Sequence, residues 1–384
     1  MPISSHQKRQ GLRIYTQCVP PSLAEIDWQR FLQRPLLEPA PVRMSDNLRA
    51  RSILITGAGG SIGAALALRC MAMGVRSLSL LEASESRLFQ LQQQCSSQYG
   101  SLQPTFLLGN VTDPGMLEEV FARSAPDLVF HAAAFKHVPL LEEQTIAAIA
   151  NNVLATELVS KTASAYAARV VLVSTDKAVM PVSILGATKR AAEQIVLSQH
   201  GVVVRLGNVL ASSDSVAEIF AHQIASGGPI TITDPAARRF FLTIDEAVHI
   251  VLAASSEENC LLIPALEQQH FIADLARFLA SELTPNRPVP IVFTQLRAGD
   301  REAERLYADD EVLGPEVLPN LHCVTTPKIQ SHTIEELLTR MRTAVASRDR
   351  SAALECLLTL VPEFAPHAKA QSIAPNHDLR VTRS

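Results

Sequence analysis

The 384-residue sequence lacks paired cysteines. No C-x-x-C motif occurs, which argues against a zinc site and against a disulfide framework. We therefore expect buried or free thiols in a cytoplasmic protein, because disulfides are rare in that compartment. The six scattered cysteines are Cys18, Cys70, Cys95, Cys260, Cys323 and Cys356.

Long apolar runs and an excess of basic residues are also missing. The charge-free stretches 88–112 and 52–68 are interrupted by Gln and Ser or by glycine, so neither predicts a membrane span of about 20 apolar residues. The first residues, MPISSHQKRQ, lead into no apolar segment, and we expect no secretory signal. With 34 Lys and Arg against 38 Asp and Glu, the charge balance argues against a nucleic-acid partner.

What the sequence does contain is 47% hydrophobic residues, enough for a large buried core. Short β-branched or Leu-rich runs alternate with helix-length segments, and this order predicts an α/β fold with a doubly wound parallel sheet. The predicted strands are 52–56, 77–82, 105–109, 128–131, 170–174 and 202–205. The predicted helices are 61–73, 85–98, 114–124, 142–165, 185–199, 215–225, 245–254, 272–283, 333–346 and 351–360.

The same alternation predicts how the chain is organised. Residues 51–207 form the predicted parallel sheet, and 208–332 form a smaller mixed α/β part over the carboxyl ends of the strands, where ligands bind in such sheets. Segment 1–50 is Pro- and Gln-rich with little periodicity, and we expect a linker-like extension there. Segment 333–366 holds the two C-terminal helices, and 367–384 predicts a disordered tail.

The strongest local signal is ITGAGGSIG at 55–63, which follows a predicted strand and opens a helix. Gly57, Gly60 and Gly63 permit a tight turn, approach of the backbone to a pyrophosphate, and close helix–strand contact. Glu82 ends the next strand, where a carboxylate can bind ribose hydroxyls. A glycine-rich turn without a ligand is the alternative, but these features together favour dinucleotide binding. No Arg directly follows Glu82, which favours NAD; Arg87, one helical turn later, keeps NADP open.

A second cluster, Thr175-Asp176-Lys177, stands at the carboxyl end of the fifth predicted strand. A hydroxyl, an acid and an amine facing a nicotinamide could carry out proton transfer, whereas the alternative is a helix cap beside a solvated lysine. Lys189 at the next helix start can reach the cofactor ribose, as the Lys of a Tyr-x-x-x-Lys pair does, and this favours the catalytic interpretation. Leu185 occupies the Tyr position of that pair, so no phenol is present to act as a base.

A third cluster, HAAAFKHVP at 131–139, follows the fourth predicted strand. The small residues Ala132 and Ala133 let a backbone lie against a cofactor. Lys136 and His137 could bind phosphate or could be ordinary loop residues, and the sequence leaves both interpretations open. His131 and His137 have no third ligand nearby in sequence, so we expect no metal site.

Taken together, these motifs resemble the UDP-N-acetylglucosamine 4,6-dehydratases, in the polysaccharide-biosynthesis branch of the extended short-chain dehydrogenase/reductases. The resemblance spans about residues 19–366 and covers the catalytic half of the family's long membrane-bound members, with 31–36 similar to the linker before that half. It implies a Rossmann sheet, a UDP-sugar substrate and a homo-oligomer, to which helices 142–165 and 185–199 could supply a dimer face or simply be core. The matching motifs are ITGAGGSIG, HAAAFKHVPLLEE, NNVLAT, STDKAVMP, GATKRAAE, VRLGNVLASSDSV, RRFFLTIDEAVHIVL, LRAGDREAE, TPKI and LVPEF.

The resemblance further implies a closed redox cycle. Bound NAD(P) takes a hydride from C4 of the sugar, water is eliminated across C5 and C6, and the hydride returns to C6. Asp176 would protonate the leaving C6 hydroxyl and Lys177 would take the C5 proton. Thr175 would hydrogen-bond the C4 oxygen, and Lys189 would hold the nicotinamide ribose. The implied cofactor contacts are Gly57, Gly60, Ser61, Ile62, Gly63, Glu82, Asn110, Val111, Ala132, Ala133 and Lys189, and the implied substrate contacts are Lys136, Asn208, Arg239, Arg297 and Asp300.

The chain departs from the family pattern at seven positions. Two of them carry a Cβ where the family has glycine, which narrows the space for a ligand. These changes keep two alternatives open, a UDP-sugar epimerase and a non-catalytic protein that binds NAD(H) or a nucleotide sugar. The departures are Leu185 for Tyr or Met, Asn110 for Asp, Phe135 for His, Met180 for Asn, Arg238 for Thr, and Ala211 and Asp214 for Gly.

Overall fold

A computed structural model describes residues 23–37, 47–98, 103–327 and 329–366. In this part of the chain, nine strands form one large sheet in the order β8-β9-β7-β6-β5-β4-β1-β2-β3. The strands are β1 (Ser52–Thr56), β2 (Ser77–Glu82), β3 (Thr105–Leu108), β4 (Leu128–His131), β5 (Arg169–Thr175), β6 (Val202–Leu206), β7 (Leu261–Pro264), β8 (Val312–Leu318) and β9 (Leu321–Thr325).

Strands β1 to β7 pair in parallel, whereas β9 and β8 add an antiparallel edge. The register places Thr56 opposite His131 and Thr175 opposite Leu206, so the carboxyl ends of neighbouring strands lie together. Strands β1, β4 and β6 are buried along their whole length, because helices cover both faces of the sheet. The predicted doubly wound α/β fold is confirmed.

The helices that cover the sheet have bounds close to the predicted ones. Asp113 caps the helix that starts at Pro114, and Ser183 caps the helix that carries Lys189, which explains where these two helices begin. The helices are α1 (Trp28–Leu32), α2 (Ser61–Met73), α3 (Glu85–Gln98), α4 (Pro114–Ser124), α5 (Val138–Glu143), α6 (Thr145–Ala148), α7 (Ala155–Ala165), α8 (Ile184–Ser198), α9 (Val216–Ala225), α10 (Ile244–Ala254), α11 (Ile272–Leu283), α12 (Ser331–Ala346) and α13 (Arg350–Leu360).

The prediction of one helix over 142–165 is wrong. Gln144 has non-helical backbone angles (φ −107°, ψ 47°), and a π-helical turn at Ile149–Leu154 separates α6 from α7. The turn lets Asn152 bond with both the backbone N–H and the carbonyl of Phe135, at 2.8 and 3.0 Å. An inserted π turn of this kind often marks a functional region, and here it fixes the loop that follows β4.

The smaller part of the chain has its own core beyond β6. Three two-stranded sheets contribute to it, pairing Asn208–Val209 with Phe241–Leu242, Arg238–Arg239 with His270–Phe271, and Ile230–Ile232 with Ile291–Phe293. Phe31 and Leu32 of α1, within the predicted linker-like extension, are buried in this core. The Phe31 ring lies 5.6 Å from the Phe241 ring, centroid to centroid, and this aromatic burial docks the segment.

Helices α12 and α13 form a hairpin that covers α8 and the π-helical turn. Leu337, Met341 and Leu357 of the hairpin share one buried cluster with Ile184 and Ile195 of α8. The hairpin therefore covers one face of α8. No helix in the described residues is long and apolar enough to cross a membrane. The predicted disordered tail, 367–384, lies outside the described part.

Candidate active site

The glycine loop between β1 and α2 is shaped by close backbone contacts. Gly57 has a left-handed backbone (φ +66°), and a Cβ there would lie 2.6 Å from the Ala133 Cα. A Cβ at Gly63 would lie 2.2 Å from the Gly57 carbonyl oxygen, so α2 packs directly on the loop. No side chain caps the N-terminus of α2, whose first residues Ser61 and Ile62 are partly exposed. This is the arrangement in which helix amide groups bind a phosphate.

The other predicted cofactor residues lie along the same edge of the sheet. Glu82 ends β2, and its two carboxylate oxygens accept hydrogen bonds from the backbone N–H groups of Gly59 and Ser84, both at 2.9 Å. The amide of Ala132 bonds to the Thr56 carbonyl oxygen at 3.1 Å, which holds the chain after β4 against β1. Asn110 is exposed and accepts from the Thr112 N–H at 3.0 Å, and the adjacent Val111 is buried.

The carboxyl end of β5 holds the predicted catalytic cluster. Asp176 has no exposed surface, and its Oδ1 accepts from the Thr175 hydroxyl and from Lys177 Nζ, both at 3.0 Å. Its Oδ2 is buried without a hydrogen-bond partner. Lys177 Nζ also donates to Asn208 Oδ1 at 2.9 Å, which joins the predicted acid, base and one predicted substrate residue. The backbone at Lys177 is packed tightly, because a Cβ at Gly186 of α8 would lie 2.2 Å from its carbonyl oxygen.

Lys189 lies on α8 beneath the end of β5. Its Nζ donates to the Val173 carbonyl oxygen at 2.7 Å. Burial lowers the pKa of Lys189 to about 8, and the nearby Glu193 opposes this shift. Leu185, at the Tyr position of the motif, is buried in the apolar cluster that α8 forms with the C-terminal hairpin. The position therefore serves packing and carries no acid or base.

Glu304 completes the cluster, and the sequence prediction missed it. It is buried, with Oε1 3.8 Å from Lys177 Nζ and 3.7 Å from Arg239 Nε. Oε2 lies 3.7 Å from Arg301 Nη1 and has no hydrogen-bond partner. Burial raises the pKa of Glu304, and the charge of Asp176 adds to the effect, while Lys177 opposes it. The motif LRAGDREAE contains this residue, but its five charged residues in nine positions are typical of a solvated segment.

The remaining predicted substrate residues divide into two groups. The structure brings Arg239 to the cluster, where its guanidinium also donates to the carbonyl oxygens of Arg301 and Glu302 at 2.8 and 3.1 Å. Arg297 and Asp300 pair with each other instead, with Nε and Oδ2 3.0 Å apart. The first side chain of that pair is largely exposed and the second is mostly buried.

Lys136 belongs to a contact that closes the segment 211–214 against the glycine loop. Its Nζ donates to the Ser213 carbonyl oxygen, and the Ser213 N–H donates to Ser61 Oγ at 2.8 Å. His137 Nε2 lies 3.6 Å from Asp214 Oδ2. Burial lowers the pKa of Lys136, opposed by the Asp214 charge. Lys136 therefore lies between the two loops that would face a dinucleotide and its substrate.

The cysteines and the potential metal ligands of the described residues form no disulfide and no metal site. The described cysteines are free thiols, and Cys18 lies outside the described residues. In the described part of the chain, no three His, Cys, Asp or Glu side chains come together as a metal site. His131 is buried between Thr56 Oγ1 and Thr156 Oγ1, at 2.7 and 3.0 Å, and burial lowers its pKa to about 3. It is a neutral residue that ties β1, β4 and α7 together.

Comparison with known proteins identifies the family. The family described as "Polysaccharide biosynthesis protein" matches residues 53–326. The chain belongs to this polysaccharide-biosynthesis family. Two relatives are the probable polysaccharide biosynthesis protein EpsC of Bacillus subtilis, 34% identical over 73% of the chain, and the capsular polysaccharide biosynthesis protein CapD of Staphylococcus aureus, 33% identical over 78%. The chain spans about half the length of each, 48% and 52%.

Epimerases are also among the relatives of this chain. UDP-glucose 4-epimerase of Rickettsia rickettsii is 30% identical over 68% of the chain and 79% of its own length. Among solved structures, Pen from Bacillus thuringiensis superposes with a TM-score of 0.68 at 26% identity, covering 73% of the chain and 90% of Pen. WbmG of Bordetella bronchiseptica, solved in complex with NAD and UDP, shares the fold, with a TM-score of 0.55 and 22% identity over 66% of the chain and 85% of its own.

Proposed function

We propose that the protein is an NAD-dependent UDP-sugar 4,6-dehydratase, acting on a UDP-N-acetylhexosamine such as UDP-N-acetylglucosamine. One observation carries the proposal: a buried carboxylate and an amine, Asp176 and Lys177, are hydrogen-bonded at the carboxyl end of β5. Elimination of water requires a base that removes the C5 proton and an acid that protonates the hydroxyl on the neighbouring carbon, C6. The pair supplies both.

A dinucleotide fits the cradle that the glycine loop forms. The positions of Gly57 and Gly63 leave no room for a Cβ, and the open N-terminus of α2 offers backbone N–H groups to a pyrophosphate. In this proposal Glu82 would bind the adenosine ribose, and Lys189 would bind the nicotinamide ribose. NAD, when bound there, would accept the C4 hydride and return it to C6. Glu82 favours NAD over NADP, because a carboxylate repels a 2′-phosphate.

The chain's own residues account for the proton transfers. Once C4 is a ketone, the adjacent C5–H is acidic, and Lys177 Nζ takes this proton. Asp176 gives its proton to the C6 oxygen, which leaves as water. Thr175 hydrogen-bonds the C4 oxygen, a role that Leu185 cannot fill. The C4 hydroxyl proton released with the first hydride transfer passes through the Thr175 hydroxyl to Asp176, whose Oδ1 is 3.0 Å away. When the hydride returns to C6, Lys177 gives its proton to C5, so both groups end as they began.

The UDP part of the substrate would lie on the cationic side of this cluster. The fork of N–H donors of Arg239 suits a diphosphate, and Asn208 and Lys136 flank the same space. Arg297 and Asp300 are secondary candidates, because they pair with each other.

Mass spectrometry tests the proposal. Purified protein with UDP-N-acetylglucosamine and NAD should give a product that has lost one water. Asp176→Asn keeps the side-chain volume and removes the acid, so we expect a loss of about 100-fold or more. The exposed Glu302→Gln, in the 301–304 segment, is the matched control and should keep full turnover. No dehydrated product from several UDP- and dTDP-hexoses would overturn the proposal.

A UDP-sugar 4-epimerase is the second candidate, favoured by the relative from Rickettsia. Epimerisation at C4 moves a hydride and a hydroxyl proton at one carbon, and it needs no group at C5 or C6. Epimerisation would then need only one group of the buried Asp176–Lys177 pair, to move the hydroxyl proton, which is why we rank this activity second. An epimer of unchanged mass would identify it. Melting shifts with NAD and UDP but no turnover would indicate a binding protein.

A further inference from the structure

Glu304 stands out because nothing in the proposed chemistry uses it. It lies in the segment after Asp300, far in sequence from β5, yet its carboxylate faces Lys177 Nζ at 3.8 Å. Gln269 fixes its backbone: the Gln269 side chain donates to the Glu304 carbonyl oxygen at 3.0 Å and accepts from its N–H at 3.3 Å. The Gln269 side chain therefore fixes both the N–H and the carbonyl group of Glu304.

The charges around Glu304 come from three elements. Lys177 and Asp176 follow β5, Arg239 lies on the strand Arg238–Arg239, and Arg301 lies three residues earlier in the same segment. Three cations and two carboxylates thus share one buried region. Asp176 Oδ2 and Glu304 Oε2 are both buried and lack hydrogen-bond partners. Such buried atoms lower the stability of the folded protein, and each of them calls for an explanation.

The proton count on the catalytic pair explains what a second carboxylate could do. Elimination starts with a neutral amine at Lys177 and a protonated acid at Asp176, and it ends with the ion pair. Nζ then gives its proton to C5 as the hydride returns to C6, and Asp176 Oδ1 must take up a proton from the next C4 hydroxyl through the Thr175 hydroxyl, 3.0 Å away. Arg239 and Arg301 alone would hold Asp176 as an anion and oppose this transfer, because cations favour the ionised carboxylate.

We propose that Glu304 is a positioning residue that sets the protonation of the Asp176–Lys177 pair by opposing the charges of Arg239 and Arg301. It acts through the pair and does not exchange a proton with the sugar. The effect of Glu304 on catalysis rests on the proposed dehydratase activity. The effect of the Glu304 charge on the pair is also present in the protein without substrate, and this allows a separate test.

The first test measures the pH–rate profile of dehydration. Glu304→Gln removes a negative charge beside both groups, which lowers both of their pKa values, so the whole profile should move to lower pH by about one unit. Glu304→Asp keeps the charge and should restore the position of the profile. Glu302→Gln should leave the profile unchanged. A slower enzyme with an unmoved profile would show a merely structural role and overturn the proposal.

The second test needs no activity. Acetylation of Lys177 is followed by mass spectrometry of its peptide across a pH series in the protein without substrate. In Glu304→Gln the midpoint of reactivity should fall by about one pH unit, whereas Arg301→Gln, which removes a positive charge, should raise it. Equal midpoints in wild type and both variants would overturn the proposal. If wild type shows no dehydration but the midpoints shift, the proposed function fails and the electrostatic role stands.

Discussion

The glycine loop at 57–63 and the substrate loop at 211–214 both contain residues with a left-handed backbone, but they use different residue types there. Gly57 has φ +66°, and Ala211 and Asp214 have φ 55° and 56°, all in the left-handed region. At Gly57 a side chain is excluded by the Ala133 backbone at 2.6 Å. In the substrate loop side chains are present, at a strain cost of about 1–2 kcal/mol per residue.

The residues of the substrate loop make contacts that glycine could not make. Asp214 approaches His137, and the Ser213 carbonyl oxygen accepts from Lys136 Nζ. The Ser213 N–H donates to Ser61 Oγ, and this bond ties the substrate loop to the glycine loop. The glycine loop thus permits close backbone contacts, whereas the substrate loop carries a side chain, Asp214, that contacts its neighbour His137. The same left-handed geometry is thus kept at positions where the family pattern has glycine.

The largest stability effect should come from a buried ion network outside the two loops, which links β6, α8 and the residue before β8. Arg205 of β6 is fully buried and bonds to Glu193 of α8 and to Glu311 near β8, with four contacts between 2.6 and 2.9 Å. Arg205→Met leaves two buried carboxylates short of a partner, and unfolding should require about 3–5 kcal/mol less. Urea denaturation measures this. The exposed Arg277→Met is the control, expected within about 0.5 kcal/mol of wild type.

Crowding in the glycine loop should give the next largest effect. Gly63→Ala places a Cβ 2.2 Å from the Gly57 carbonyl oxygen, so we expect a loss of about 1–3 kcal/mol in unfolding free energy and loss of the melting shift caused by NAD. Gly74→Ala is the matched control. Its φ is +69° with nothing within 4 Å of the Cβ, so it should cost about 1 kcal/mol and keep the NAD shift. Equal effects of both variants would contradict the crowding argument.

The buried amine of Lys189 should make stability depend on pH. Its pKa is lowered from 10.5 to about 8 by burial, so between these values the unfolded chain binds more protons than the folded one. Stability therefore rises with pH in this window, by at most about 1.4 kcal/mol per unit. The unfolding free energy of wild type minus that of Lys189→Met should increase from pH 8 to pH 10. A flat or falling difference would show that the amine is not desolvated.

Relief of strain in the substrate loop should give the smallest effect, with the opposite sign. Ala211→Gly removes a Cβ from a left-handed residue, so we expect about 0.5–1 kcal/mol of added stability, since the greater entropy of the unfolded chain offsets part of the gain. Ala122→Gly, exposed in α4, should instead destabilise by about 1 kcal/mol. Thermal melts of the two variants should thus move in opposite directions.

The parallel sheet was predictable because each of its first six strands is a short apolar run followed by a helix-length segment. Ser52–Thr56 and Leu128–His131 were predicted with their observed bounds, since these strands are buried throughout. The edge strand Val312–Leu318 was not predicted. It is largely exposed and contains Gly314 and Pro315, so it lacks the pattern of a buried strand.

The site was predictable where chemistry is local in sequence. Thr175, Asp176 and Lys177 are neighbours at a strand end, and the sequence places them together. Glu304 could not be found in this way, because a glutamate among charged neighbours shows no sign of burial. It becomes recognisable when the fold brings its segment against β5, some 127 positions after Lys177. The two side chains share no local pattern.

Solvent deuterium at C5 tests the central claim most directly. The protein is incubated with UDP-N-acetylglucosamine and NAD in D₂O, and the product is analysed by mass spectrometry and NMR. Proton removal from C5 by Lys177, followed by return of a solvent-exchanged proton, predicts a product that has lost one water and carries one deuterium at C5. A product of unchanged sugar composition, or a dehydrated sugar with no deuterium at C5, would contradict the account.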